Sequence, residues 1–192
     1  MHKQDLYYDY GVHSILCLER ARLRLKEFDE GKCESLFYAA LDLRMGIEAR
    51  IYEYIYVTLR SKNRPKKEIK EYSASKLLKI LCSLDKNALE PAALMISVAG
   101  SKHGNVLQYT PVTQKLAQYY GKLGEMLHHK FFRMNEYWYC KKKLEEEHGE
   151  KSLTDFRHFL EEVAAELEKV NRGHLSAYPS FFKLIEKSKN EE

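Results

Sequence analysis

The stretch from Leu36 to Leu59 contains no proline and carries its apolar residues at helical rather than alternating spacing. At ~100° per residue, Leu36, Ala40, Leu43, Ile47, Ile51, Tyr54 and Thr58 share one stripe, with Phe37 and Ile55 at its edge. A long amphipathic helix is therefore the first element any fold of this chain must accommodate. Arg44 projects inside the stripe and Glu48 stands at its margin one turn later, while Asp42, Glu53 and Arg60 fall on the far side. A charge on an apolar face is costly unless paired, so the pair is either a structural clasp or part of a site. An exposed i,i+4 pair contributes only ~0.2–0.5 kcal/mol, too little to explain the placement by stability. As a site, Arg44 would bind a phosphate or another anion and Glu48 would orient it.

The flanking sequence supplies further helices. One is expected from about Val12 to Phe28, with Leu18, Ala21, Leu25 and Phe28 at helical spacing and Gly31 ending it. The long helix follows, roughly Glu34 to Leu59, and a basic loop around Pro65 closes it. Another starts near Ser73 or Ser75 and carries Leu77, Leu78, Ile80, Leu81 and Leu84. Two β-prone runs, 92–98 and 105–109, surround the loop Ala99–Gly104 and predict a hairpin packed on the helices. Thr110-Pro111 reads as a helix start, followed by Val112, Leu116, Tyr119, Tyr120, Leu123 and Leu127 on one face. Phe131 to Glu147 reads as helical, up to Gly149. Ser152 with Asp155 resembles a capping box before Leu153, Phe156, Leu160, Val163, Leu167 and Val170, and Gly173 sits where a C′ glycine would. With no internal repeat, the expectation is one mainly α-helical domain over residues 1–192, a helical bundle with a small β-hairpin. Its core spans about 10–172, with a polar tail from about 186.

At 192 residues the chain is long enough for a substantial core, and no apolar run approaches the ~20 residues of a membrane span. Met1 to Tyr8 lack the apolar segment of a secretory signal, so a cytoplasmic location is expected. Cys17, Cys33, Cys82 and Cys140 have neither CxxC nor zinc-ligand spacing and read as reduced thiols, with no metal or cofactor implied. A net charge of +4 permits a nucleic-acid partner without requiring one. No phosphate-cradling glycine loop, GxSxG elbow, HExxH or DxD constellation is present.

A second constellation is Ala117, Gly121, Gly124 and His128, which line one narrow stripe if the helix after Pro111 is continuous. Each glycine costs a helix up to ~1 kcal/mol relative to alanine, so the stripe reads as tight packing or as a groove ending at His128, an acid, base or ligand. Basic residues gather twice, as Lys62, Arg64, Lys66 and Lys67 around Pro65, and as Lys130 and Arg133 among aromatics up to Trp138. With Lys102 and His103 of the hairpin loop, these are the candidate nucleic-acid contacts, since cations serve phosphates and aromatic rings stack on bases.

The phrases Ala39-Ala40-Leu41-Asp42-Leu43-Arg44-Met45-Gly46-Ile47-Glu48-Ala49-Arg50, Tyr109-Thr110-Pro111-Val112-Thr113 and Gly121-Lys122-Leu123-Gly124-Glu125-Met126-Leu127-His128 resemble an uncharacterised prokaryotic helical family over roughly residues 34 to 130. More loosely, the arrangement is similar to HEPN domains, helical bundles of RNA-cleaving toxins and defence proteins. Those nucleases pair an arginine and a polar neighbour with a histidine four to six residues on. The nearest match here is Lys122 and Leu123, with His128 after five intervening residues, so lysine stands for the arginine and leucine for the polar neighbour. The resemblance implies a domain of a prokaryotic defence, toxin–antitoxin or RNA-processing system that binds or cleaves RNA. Its candidate catalytic residues are His128, Lys122, Arg44 and Glu48, with Arg44 assigned from its place in the stripe and not from the HEPN pattern. The alternative is a non-catalytic module that dimerises or binds a protein through Tyr137, Trp138 and Tyr139.

Overall fold

The computed structural model describes residues 13–62, 71, 73–97, 104–128 and 150–174. These form five helices, α1 (Ser14–Asp29), α2 (Ser35–Ser61), α3 (Ala74–Leu84), α4 (Gln114–His128) and α5 (Glu150–Asn171), and two strands, β1 (Ala92–Ser97) and β2 (Gly104–Tyr109). The architecture is mainly helical with a small antiparallel sheet, as the periodicity predicts. The chain divides into two compact units, residues 1–49 with 115–168, and residues 50–114 with 169–192. Residues 99–103 of the expected loop, the helix over Phe131–Glu147 and the C-terminal tail lie outside the described residues, and Gly104, expected in the loop, opens β2.

In the first unit α1 ends in a Schellman turn. Gly31 has φ of 99°, its N–H donates to the Phe28 carbonyl at 2.8 Å, and the Lys32 N–H donates to the Glu27 carbonyl at 3.0 Å. Only glycine takes that backbone conformation without strain. α2 then returns antiparallel to α1. Arg20 Nε donates to Asp42 Oδ1 at 2.8 Å, and the Arg24 guanidinium lies 5.5 Å from the Tyr38 ring centroid. Gly46 lets the helices close: a Cβ there would stand 2.8 Å from Leu167 Cδ2 of α5 and 3.1 Å from Cys17 Cβ of α1. α4 and α5 also run antiparallel, with Tyr119 edge-on to Phe159 at 5.4 Å and Tyr119 Oη donating to Glu162 at 3.1 Å. Leu18, Ala21, Leu36, Leu43, Ile47, Leu116, Leu123, Leu160, Val163 and Leu167 are buried between these helices. Each such leucine contributes about 1.5–3 kcal/mol relative to an exposed one.

The second unit is built on Ile51, Tyr54, Ile55 and Thr58 of α2, all buried, so the expected stripe holds along the whole helix. β1 pairs with β2 in antiparallel register from Ala92↔Tyr109 to Ser97↔Gly104. Tyr109 packs edge-on to Tyr54 at 4.9 Å and donates its hydroxyl to the Ala88 carbonyl at 2.5 Å. Ser73 occupies the N-cap position of α3, and Lys62 Nζ donates to the Leu84 carbonyl at that helix's other end.

Three local expectations are corrected. α4 begins at Gln114, not at Thr110-Pro111. A capping threonine would give its carbonyl to the helix, whereas the Thr110 carbonyl accepts the Tyr54 hydroxyl at 2.5 Å, and Pro111 and Val112 are buried. α5 is under way by Ser152, because Glu150 and Lys151 extend it toward the N-terminus and leave no capping box there. Gly173 does follow α5, yet it lacks the positive φ of a left-handed cap. It is required by proximity, since a Cβ would stand 2.7 Å from the Thr110 backbone nitrogen. The next residue, exposed His174, donates its N–H to the Gln108 carbonyl at 2.6 Å, and its Nδ1 accepts the Gln108 N–H at 3.3 Å. The edge of β2 is thereby paired.

Candidate functional site

Arg44 and Glu48 lie on one side of α2 within the first unit, and their side chains are each 24% exposed. Facing them from α4 are Tyr120 and Gly124. Arg44 Nη2 donates to Tyr120 Oη at 3.1 Å, and Tyr120 Oη donates to Glu48 Oε1 at 2.5 Å. Arg44 Nε and Glu48 Oε1 are 3.8 Å apart, too far for a hydrogen bond, so the phenol bridges a pair that does not touch directly. The guanidinium carbon lies 4.6 Å from the Tyr120 ring centroid, a cation–π distance. A Cβ on Gly124 would come within 3.1 Å of Arg44 Nη1. The absent side chain is the space the guanidinium occupies.

Burial pushes the Glu48 carboxyl above its ordinary range, against the opposite pull of the Tyr120 hydrogen bond and of the Arg44 charge. Burial, and next the Glu48 hydrogen bond, push the Tyr120 phenol up as well. Two unit charges at this separation attract by about 4 kcal/mol at an effective dielectric of 20, yet desolvation outweighs that attraction at Glu48. The trio therefore does not exist for the strength of its ion pair. It is a charge-assisted network, a quarter open to solvent, in which a cation is held against an aromatic face and a phenol stands between cation and acid. Such an arrangement can receive an anion at the guanidinium and can pass a proton between phenol and carboxylate.

The two constellations of the sequence meet here, though not as the spacing suggests. Gly121 is exposed with nothing within 4 Å of a Cβ, so only Gly124 of the expected glycine stripe makes a close approach. α4 runs unbroken through both glycines, which places Lys122 and His128 ~120° apart around it. Lys122 is exposed and its Nζ lies 6.0 Å from the Phe159 ring, away from Arg44. His128 is the last residue of α4, and its side chain lies outside the described set. Lys62 is exposed and engages the end of α3. Arg64, Lys66, Lys67, Lys102, His103, Lys130, Arg133 and Tyr137–Tyr139 lie outside the described residues. Cys17, Cys33 and Cys82 form no disulfide, and Cys17 Sγ accepts a hydrogen bond from Arg20 Nη2 at 3.3 Å.

Sequence reasoning passed over two residues. Tyr120 counts as one more apolar residue on its stripe, although a phenol there needs a hydrogen-bond partner. Arg50 is the larger omission. It lies on the opposite flank of the α2 stripe from Arg44, one turn from Ile47 and one from Tyr54, and it is the more deeply buried. In the second unit its Nη2 donates to the carbonyls of Val170 and Gly173 at 2.8 and 2.6 Å, and Nη1 donates to Glu53 at 2.8 Å. Glu53 thus faces a partner rather than the far side of the helix.

No family model, no curated protein and no solved structure matches this chain.

Proposed function

We propose that this chain is a HEPN-like RNA-binding domain of a prokaryotic defence, toxin–antitoxin or RNA-processing system, and that Arg44 receives a backbone phosphate. One observation carries the reading. The Arg44 guanidinium is partly exposed, seated on the Tyr120 ring and fixed in orientation by the Tyr120–Glu48 hydrogen bond, with Gly124 leaving room for it. A planar cation fixed in this way meets a phosphate with little loss of side-chain entropy. Two further cations of α4 lie near rings: Lys115 Nζ is 5.4 Å from the Tyr119 ring of the same helix, and Lys122 Nζ is 6.0 Å from the Phe159 ring of α5. Charge for phosphates beside aromatic surface is what single-stranded RNA requires. The continuous α4 separates Lys122 from His128, which favours binding over a HEPN-type cleavage by those two residues.

Salt-dependent retention on immobilised single-stranded RNA tests the proposal. Wild type is expected to bind at low salt and elute as salt rises, and Arg44→Ala to elute earlier. Gly124→Ala is expected to follow Arg44→Ala, because the added methyl displaces the guanidinium while keeping every charge. Retention unchanged in both variants refutes the site. Degradation of a labelled RNA by wild type but not by His128→Ala would add cleavage to binding.

A further inference from the structure

A guanidinium that is to receive a phosphate already has one anion beside it. Glu48 Oε1 lies 3.8 Å from Arg44 Nε, and the Tyr120 hydroxyl joins the two side chains. Arginine and carboxylate together carry no net charge, so an approaching phosphate meets repulsion from Glu48 as well as attraction from Arg44. Nearby cations do not restore the balance. Lys115 of α4 is drawn to Glu166 at 3.4 Å, and Lys122 turns toward Phe159. Among the described residues, the charged or titratable groups that act on Glu48 are Arg44 on its own helix and Tyr120 facing it from α4.

Of the three, the carboxylate is the one that can give up its charge near neutral pH. A guanidinium stays protonated throughout the range that proteins experience. The Glu48 side chain is 24% exposed, and burial already disfavours its charge more than Tyr120 and Arg44 favour it. Its bond from Tyr120 does not depend on that charge, since a neutral carboxyl still offers the phenol an oxygen. Resting on the phosphate reading of Arg44 above, we propose that Glu48 regulates the site: a phosphate docking on Arg44 is accompanied by a proton, taken from solvent by the Glu48 carboxylate. The carboxylate becomes a carboxyl, and the charge of the guanidinium passes from Glu48 to the phosphate. A second anion at the cation raises the affinity of Glu48 for a proton, so the bound state holds it to a higher pH than the free state does. Binding therefore gains as pH falls through the bound value, and the gain is complete below the free one.

Fluorescence anisotropy of a labelled single-stranded oligouridylate, whose bases do not titrate in the range, tests the proposal on the full chain between about pH 5 and about pH 8. Wild type and Glu48→Gln are compared, because histidine protonation adds the same charge to both. At the alkaline end Glu48→Gln is expected to bind roughly fivefold or more tightly than wild type, and that advantage to shrink to less than about twofold at the acid end. An advantage that holds constant across the range, or a variant that binds no better than wild type at the alkaline end, overturns the proposal. Titration calorimetry at about pH 6, in two buffers of different ionisation enthalpy, counts the proton itself. Wild type is expected to take up more protons per oligonucleotide bound than Glu48→Gln, and equal counts overturn the proposal as well. Arg44→Ala separates this proposal from the one beneath it. Binding weakened by Arg44→Ala, with parallel pH profiles for wild type and Glu48→Gln, leaves the phosphate site standing without its regulation. Binding unchanged by Arg44→Ala removes the site and the regulation with it.

Discussion

Arg44 and Arg50 stand six positions apart on one helix, and each guanidinium carbon lies 4.6 Å from the centroid of a tyrosine ring. Their surroundings make them different objects. Arg44, in the first unit, is a quarter exposed and meets side chains, a phenol and an acid. Arg50, in the second, is 3% exposed and spends two donors on backbone carbonyls at the C-terminal end of α5. The Val170 carbonyl also accepts the Gly173 N–H at 3.1 Å, and a cation at this end of α5 offsets the negative end of the helix dipole. Arg50 is thus committed to structure. Arg44 keeps a face toward solvent, held in place by groups that could themselves move a proton. The pairing of an arginine with a tyrosine says little about role, and the nature of the remaining partners says a great deal.

The comparison breaks first if the two arginines prove equally important to folding. Arg50→Ala withdraws a buried guanidinium from two carbonyls and from Glu53 and is expected to cost about 3–5 kcal/mol. Arg44→Ala, at a site that water can reach, is expected to cost about 1 kcal/mol or less. Urea denaturation of both variants measures the difference, and an Arg44→Ala cost matching that of Arg50→Ala would place both in the same structural role.

A smaller effect separates the two tyrosines. Burial holds the Tyr54 phenol up to about 12 from an ordinary value of 10. Its folded value is the higher one, so its contribution to stability is complete below pH 10 and is lost as pH rises through 12. Tyr54→Phe leaves the Thr110 carbonyl unpaired and is expected to cost about 1–3 kcal/mol near neutral pH. Its stability is also expected to fall less steeply than that of wild type between pH 10 and 12, as read from denaturation midpoints across that window.

The smallest expected effect is at Glu48, whose carboxyl is likewise raised. Its contribution is complete below the ordinary carboxylate value of 4.5 and declines as pH rises through its higher folded value. Glu48→Gln keeps an acceptor for Tyr120 without the buried charge. Its melting temperature relative to wild type is therefore expected to improve from pH 3.5 (about one unit below that range) toward neutrality. A difference that stays constant with pH would show that folding leaves the Glu48 carboxyl at its ordinary value, and one that worsens toward neutrality that Arg44 and Tyr120 favour its ionised form.

Much of the fold was legible because apolar periodicity reports burial directly. Leu36, Ala40, Leu43, Ile47, Ile51, Tyr54 and Thr58, read as one stripe, are all buried. Gly31 was legible as a helix stop because its reason is local, a backbone conformation within a single turn. Gly173 was read in the same way and stands there for another reason, the passage of Thr110 from a segment far away in sequence. The start of α4 was misplaced on the same ground, because a hydroxyl from α2 takes the carbonyl that a cap at Thr110 would have used. Of the candidate site, Arg44 and Glu48 could be named as a charged pair on an apolar face. Tyr120 and the true place of Gly124 could not, since both depend on which helix lies opposite.

Sequence alone determined the helices and their inward faces, because spacing along a helix fixes direction around its axis whatever the neighbours are. It also determined that charges on such a face need partners. Only the tertiary structure decided the partners from other elements: a phenol of α4 for Arg44, and main-chain carbonyls at the end of α5 for Arg50. That choice depends on residues 76 to 123 positions away in the chain being brought within about 3 Å, and no local periodicity carries that information.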